Sequence, residues 1–510
     1  MALVTTRFLR DGRDLPPELE TARQEIEKLA RGYGLDFFDT VFEVCTYEEI
    51  NMVASYGGFP TRYPHWRFGM EYLEMQKSYE WGLSKIYEMV INTDPAYAYL
   101  MDCNLMVDQK LVMAHVFGHV DFFKNNLWFA HTNRKMLDQM ANHATKVREI
   151  IDRYGTVEVE QFIDMCLSLD NLIDPYAQHI KRRRPVTQAE LEKAETDTAL
   201  ERIPAKDYMD PHINPPEVLQ ARREARDEEL AQMRKFPEEP VRDVLGFLLD
   251  HAPLERWQQT VLQIIRDEAL YFAPQGQTKI MNEGWATYWH TTMMTQDVLT
   301  DAEVIDYADH HSGTVAMRPG QLNPYKMGVE LFRHIEERWN KGRFGKDWLD
   351  CDDPAIRRRW DTGAGLGREK IFEVRRTHND VTFLDTFLTA DFCREQGFFT
   401  TTYDEKARQW VVDSHEFADV KKQLLQMLAT RGTPRVYIID ANVDNRSELL
   451  LQHEHEGLDI QLDWAATVLG NLAKLWGRPV HLRTLLEGRP IELTHDGTEL
   501  KKKNRKKDED

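Results

Sequence analysis

Residues 114–126 read AHVFGHVDFFKNN, and they set His115 and His119 four positions apart in an aromatic run. On a helix that spacing brings both imidazoles to one face, one turn apart, close enough to share a metal ion. Phe117, Phe122 and Phe123 predict a mostly buried helix, to which Asp121 and Asn125 add polar groups. The same spacing also suits a pair of hydrogen-bonded core histidines, and two histidines so placed are common by chance. Metal-dependent hydrolases often carry a glutamate directly after the first histidine, where it polarises water and shuttles its proton. Here that position is Val116, which can do neither.

A second stretch, MNEGWATYWH at 281–290, supplies what the first lacks as a ligand set. Enzymes of the gluzincin type draw a third ligand, a glutamate, from a downstream helix in a sequence resembling NEGxA, and Glu283 stands at that place. Gly284 and Ala286 permit a close approach to the first helix. His290, seven residues on, shares roughly the same face and is a fourth ligand or a partner behind the ligands. The plainer alternative has Glu283 capping its helix while Trp285, Trp289 and His290 pack. The metal reading thus names His115, His119, Glu283 and His290 around a divalent ion, with zinc expected.

Catalysis would need a base other than Val116. Glu268, Asp267, Glu71 and Asp121 are the candidates, each also explicable as helix surface charge or a buried ion pair. Glu268 is favoured because RDEALYFAPQGQTKIMNEGWA places it just upstream of Glu283. In DHHSGTVAMRPGQLNPYKMG, His310 and His311 are expected to precede a Ser-Gly turn and a helix. His311 is the second catalytic candidate, as ligand, proton carrier or substrate contact, against the alternative of a hydrogen-bonded loop histidine. His453 and His455 in LQHEHEG read as a solvated strand end, and the spaced glycines of DTGAGLGREK as a flexible loop.

The rest of the chain is mostly helical in pattern. PPELETARQEIEKLARGYGLDFF opens with helix-entry prolines, and NPYKMGVELFRHIEERWNKG predicts a helix ended by Gly342. Residues 47–110 are rich in aromatics, with a loop at GGFPTRYPHWRFG and helical character from Glu71. Residues 181–240 hold 12 Lys/Arg, 14 Asp/Glu and seven prolines, too polar to bury much apolar area. RVYIIDAN, ELLLQHEH and PVHLRTLLEGRPIELTHDG read as short strands around the amphipathic helix DWAATVLGNLAKLWG. The predicted architecture is a mainly α-helical large domain over 1–369, with a gluzincin-like helical metal-site core and an exposed charged insertion at about 181–240. A small C-terminal α/β domain over 370–498 and a disordered charged tail over 499–510 complete it.

Composition narrows the function. A 42% hydrophobic, 10% aromatic chain of 510 residues is globular. Its net charge of −20 argues against nucleic-acid or anionic-membrane binding, which need a basic face. Five scattered cysteines without a CxxC pair predict reduced thiols and a cytoplasmic protein. No signal-peptide run and no transmembrane segment are expected.

YPHWRFGMEY, YEMVINTDPAYAYL, MAHVFGHVDFFKNN, ERWQQTVLQIIRDEALYFAPQGQTKIMNEGWATYWH, LNPYKMGVELFRHIEERWN and WGRPVHLRT together resemble the SpoVR family, the stage V sporulation protein R-like group. The resemblance runs from about residue 15 to residue 495. It implies a part in spore cortex (peptidoglycan) formation, or in a stress response beside a PrkA-type serine kinase. Two functions follow as expectations. One is a metal-dependent hydrolase, amidase- or peptidase-like, acting on a cytosolic precursor or a regulatory protein. The other is a non-catalytic regulator or scaffold of the kinase module, with a structural or degenerate metal site.

Overall fold

The computed structural model describes residues 15–80, 88–181, 204, 206, 209–316, 322–398, 400–404 and 409–505. The chain forms two compact units, Met1–Thr156 with Tyr271–Arg431, and Val157–Leu270 with Gly432–Asp510. It is mainly helical, with a small C-terminal sheet.

In the first unit, helix Pro17–Gly32 starts with proline in its first turn, beside Glu18 and Glu20, which complement the helix dipole. Leu19, Ala22, Ile26 and Ala30 recur at helical spacing and form its buried stripe. A three-stranded sheet follows in the order β1 (Thr40–Cys45), β3 (Ala96–Met101), β2 (Glu88–Ile91). β1 runs parallel to β3 and β2 antiparallel to it. The aromatic stretch YEMVINTDPAYAYLMD thus contributes a hairpin, and its central strand buries Ala96, Ala98 and Leu100 completely. The preceding helix spans Trp66–Glu80 and begins five residues before Glu71.

Helix Met106–Asn125 carries the histidine pair and will be called the His helix. It is buried on almost every side, as a helix apolar all round must be. Helix Pro17–Gly32, β2, β3 and helix Gly367–Thr377 pack on it, as does helix Lys279–Met293, the Glu283 helix. Helix Pro324–Asn340 lies along the Glu283 helix. It starts where Asn323 Oδ1 accepts from the Tyr325 and Lys326 amides, and Gly342, at φ +67°, lets the chain turn away after it.

Helices also occupy the start of the expected α/β domain. Gly367–Thr377, Asp380–Phe387 and Ala390–Gln396 belong to the first unit, because Ile371, Val374, Phe383, Leu384 and Phe387 are buried in the same core as the His helix. β4 (Thr400–Asp404) and β5 (Gln409–Ser414) form an antiparallel pair there.

The second unit holds a five-stranded sheet ordered β10-β9-β8-β7-β6. Its strands are β6 (Arg435–Val443), β7 (Glu448–Glu454), β8 (Val480–Leu486), β9 (Arg489–His495) and β10 (Leu500–Asn504). Only β7 and β8 are parallel, and helix Leu462–Trp476 makes the crossover that parallel neighbours require. His453 is buried and bonds Thr484 Oγ1 at 2.8 Å, so only His455 fits the expected solvated strand end. Leu500–Asn504, where a disordered tail was expected, pairs antiparallel with β9, and its lysines suit an exposed edge strand. Of the charged 181–240 stretch, residues 182–203 lie outside the described residues. Helix Pro216–Arg234 is largely exposed over residues 216–226. Among the described residues, no helix is long and apolar enough to cross a membrane, and all five cysteines are free thiols.

Candidate metal centre

The His helix and the Glu283 helix meet through small residues. A Cβ built on Gly118 would lie 2.7 Å from Ala286 Cα, so only glycine fits at this crossing. Gly284 turns the other way and meets Gly328 of helix Pro324–Asn340, where an added Cβ would lie 2.4 Å from the Gly328 backbone. Ala286 therefore serves the approach to the His helix, as its small size suggests, while Gly284 admits a third helix.

This crossing gathers His115, His119 and Glu283, whose ligand atoms all lie within 4.8 Å of one another. All three are buried, at 3%, 5% and 6% exposure, which removes solvent as a competing ligand. Glu283 Oε2 stands 3.5 Å from Nε2 of both histidines. It makes no hydrogen bond of ordinary geometry. A charge-assisted N–H···O bond would be about 2.7–2.9 Å. The edge of a tetrahedron with metal–ligand distances near 2.0–2.1 Å is about 3.3–3.4 Å. The spacing is thus long for hydrogen bonds and close to the edge a shared ion would set between Glu283 and each imidazole.

The surrounding polar groups fix which atoms face inward. His119 Nδ1 lies 2.9 Å from Asn282 Oδ1, so with the amide oxygen accepting, Nδ1 carries a proton and Nε2 is the nitrogen turned to Glu283. His115 Nδ1 lies 2.8 Å from His290 Nδ1 and can present Nε2 in the same way. Lys279, one turn before Glu283, bonds its Oε1 at 2.6 Å and leaves Oε2 for the pair of imidazoles. Burial alone would raise the Glu283 pKa, but His119, His115 and Lys279 outweigh it and hold the carboxyl well below its usual range.

His290 lies behind His115 and is not one of the three gathered ligands. Burial, then the neighbouring His115 and His311, hold it neutral by lowering its pKa well below the ordinary histidine value. Its Nε2 is 3.4 Å from His311 Nδ1. His310 and His311 sit within helix Val304–Thr314, together with Ser312 and Gly313, and not before a turn as expected. His310 bonds Asp108 of the His helix. Val116 is buried in the hydrophobic core, so no side chain from that position addresses the ligands.

The other proposed bases have different surroundings. Glu71 pairs with Arg67 at 2.7 Å on the surface, and Asp267 accepts from Gln263 at 2.6 Å. Asp121 is fully buried and accepts from Trp285 Nε1 and the Asp36 amide, both at 2.7 Å, tying the two helices together. Burial pushes its pKa up to about 6 despite Arg375 nearby. Glu268 is buried in helix Arg256–Gln277, on the part that belongs to the second unit, and is not among the gathered ligands.

Sequence reading missed Lys279, Asn282, Gly118 and Asp380. Lys279 was detectable from its i, i+4 spacing to Glu283. Asp380 had no local signal: it reaches across from another helix to accept the Ile280 and Met281 amides at 2.8 and 2.9 Å, capping the Glu283 helix.

Fold and geometry together define a mainly helical protein with a buried two-histidine, one-carboxylate set. The family described as SpoVR like protein matches residues 14–433, and the SpoVR-like C-terminal domain matches residues 434–487. The chain belongs to the SpoVR family. It is 30% identical over 526 residues to the uncharacterized protein YcgB of Escherichia coli (strain K12), covering 96% of each chain. No solved structure matches.

Proposed function

We propose that this SpoVR-family chain binds a divalent metal, zinc in the first instance, through His115, His119 and Glu283, and acts as an amidase- or peptidase-like hydrolase. The carrying observation is the 3.5 Å spacing of Glu283 Oε2 from both imidazole Nε2 atoms, in a site without bulk solvent. Held there, such an ion would supply Lewis acidity, polarising a carbonyl or acidifying water near neutral pH. Asn282 and His290 orient the imidazoles, and Lys279 occupies Oε1 of the carboxylate, leaving Oε2 toward them. The gluzincin likeness extends to the ligand types and not to the base. Proton handling falls to His311, reached from His115 through His290. The family's link to spore cortex formation and stress response makes a cytoplasmic cell-wall precursor or a regulatory protein the substrate.

Metal analysis of the purified full chain tests this. Near-stoichiometric metal, lost in a His115→Ala, His119→Ala double variant, is expected; a folded, metal-free wild type would sink the proposal.

A second reading rests on Val116, which is buried in the core and leaves the ligand set without its usual base. A metal held for structure needs no base. On that reading the protein is a non-catalytic regulator acting with a PrkA-type serine kinase module. Metal-loaded His311→Ala and Glu268→Gln variants that complement a deletion as well as wild type would favour it.

A further inference from the structure

Beyond the three ligands, the Glu283 helix carries hydroxyls that the protein itself leaves unanswered. Thr287 and Thr291 follow Glu283 at one-turn intervals, so all three lie on one ridge of the helix. Thr287 is 0% exposed, and neither its Oγ1 nor that of Thr291 makes a hydrogen bond of ordinary geometry. This is not the usual fate of threonine in a helix, whose hydroxyl bonds back to the carbonyl four residues earlier. Just beyond, Thr292 bonds the Tyr288 carbonyl and Thr295 the Thr291 carbonyl, each at 2.8 Å. Thr287 and Thr291 therefore point their hydroxyls elsewhere.

Helix Val304–Thr314 brings a third such group to the same region. The Tyr307 hydroxyl is buried and makes no hydrogen bond of ordinary geometry. Burial raises its pKa, and a long contact with the Thr291 hydroxyl opposes that rise. The Tyr307 ring stacks on His311 at 5.6 Å between centroids, and His311 is the half-buried residue that reaches His290. Thr287 has no protein partner, and the Thr291 and Tyr307 hydroxyls have at most each other, at poor geometry, so the three beside a polar ligand set keep unused hydrogen-bonding capacity and are a site for internal water. An apolar side chain would otherwise serve better at each position.

We propose that Thr287, Thr291 and Tyr307 hold a row of internal water that links the His115–His119–Glu283 set to solvent at His311. A hydrolase consumes water, and a ligand set at 3–6% exposure needs a route by which water arrives. The inference rests on the metal reading for its purpose, but not for its existence.

A crystal structure of the full chain at solvent-resolving resolution tests it directly. Ordered water within hydrogen-bond distance of all three hydroxyls is expected, and a dry interior there overturns the proposal. Thr287→Val, Thr291→Val and Tyr307→Phe variants give an independent readout through Tm and metal content. Thr287→Val is the discriminating variant, because Thr291 and Tyr307 also touch each other: if water is held it lowers Tm while keeping wild-type metal, and if the site is dry it raises Tm. Water present in a metal-free wild type would retain the row and reject the metal reading, so the two failures are distinct.

Discussion

Gly118 and Ala286 touch so closely that a methyl group on Gly118 would stand 2.7 Å from Ala286 Cα. This contact sets the distance between the helix that carries both histidines and the helix that carries Glu283. Gly118→Ala is expected to force the helices apart, costing about 1–3 kcal/mol of stability by overpacking. It should also weaken metal binding, because His119 is the next residue. Urea denaturation and zinc titration check both effects; unchanged stability and affinity would mean that the crossing relaxes freely.

Asn282 and His290 touch the ligands from behind. Asn282→Ala and His290→Ala are expected to lower metal affinity by about 10–100-fold while leaving stoichiometry intact at saturating metal, the usual cost of losing an orienting partner. Competition with a chromophoric chelator measures this. A complete loss of sites in His290→Ala would instead make His290 a ligand.

Asp380 caps the Glu283 helix from a distant part of the chain, and burial pushes its pKa up to about 7. In the unfolded chain the group titrates near 3.9. The folded state thus holds the proton more tightly, so this contribution is fully present below about pH 4 and is lost as pH rises through about 7. Asp380→Asn cannot ionise. Its unfolding free energy is expected to fall less than that of wild type between pH 5 and pH 8, as read from urea midpoints at both values. Parallel profiles would count against the shift.

β10 closes one edge of the five-stranded sheet with exposed lysines. Truncation after Thr498 removes that strand and bares the β9 backbone. Light scattering is expected to report self-association of the truncated chain at concentrations where the full chain stays dispersed. A monodisperse truncation product would show that β10 does not guard the edge.

Much of the local structure was legible in the sequence. Helical period placed His115 and His119 on one face, and the helix in NPYKMGVELFRHIEERWNKG ends before Gly342 as read. The hairpin β2–β3 was not legible, because a buried central strand of alanines and tyrosines carries no clean alternation. Nor was the helical character of 367–396, whose apolar residues make sense only beside the core they join.

The metal set divides along the same line. The sequence by itself determined which side chains share a helix face, since a spacing of four residues dictates that geometry wherever the helix lies. That reached His115 with His119, and the same rule, unused, would have paired Lys279 with Glu283. Only the tertiary structure decided that His119 and Asn282, 163 positions apart, lie 2.9 Å from one another. It also turned His290 behind His115 and buried Val116 in the core. Those relationships depend on where Gly118, Ala286, Gly284 and Gly328 let three helices meet, a balance of packing over the whole unit that no short spacing encodes.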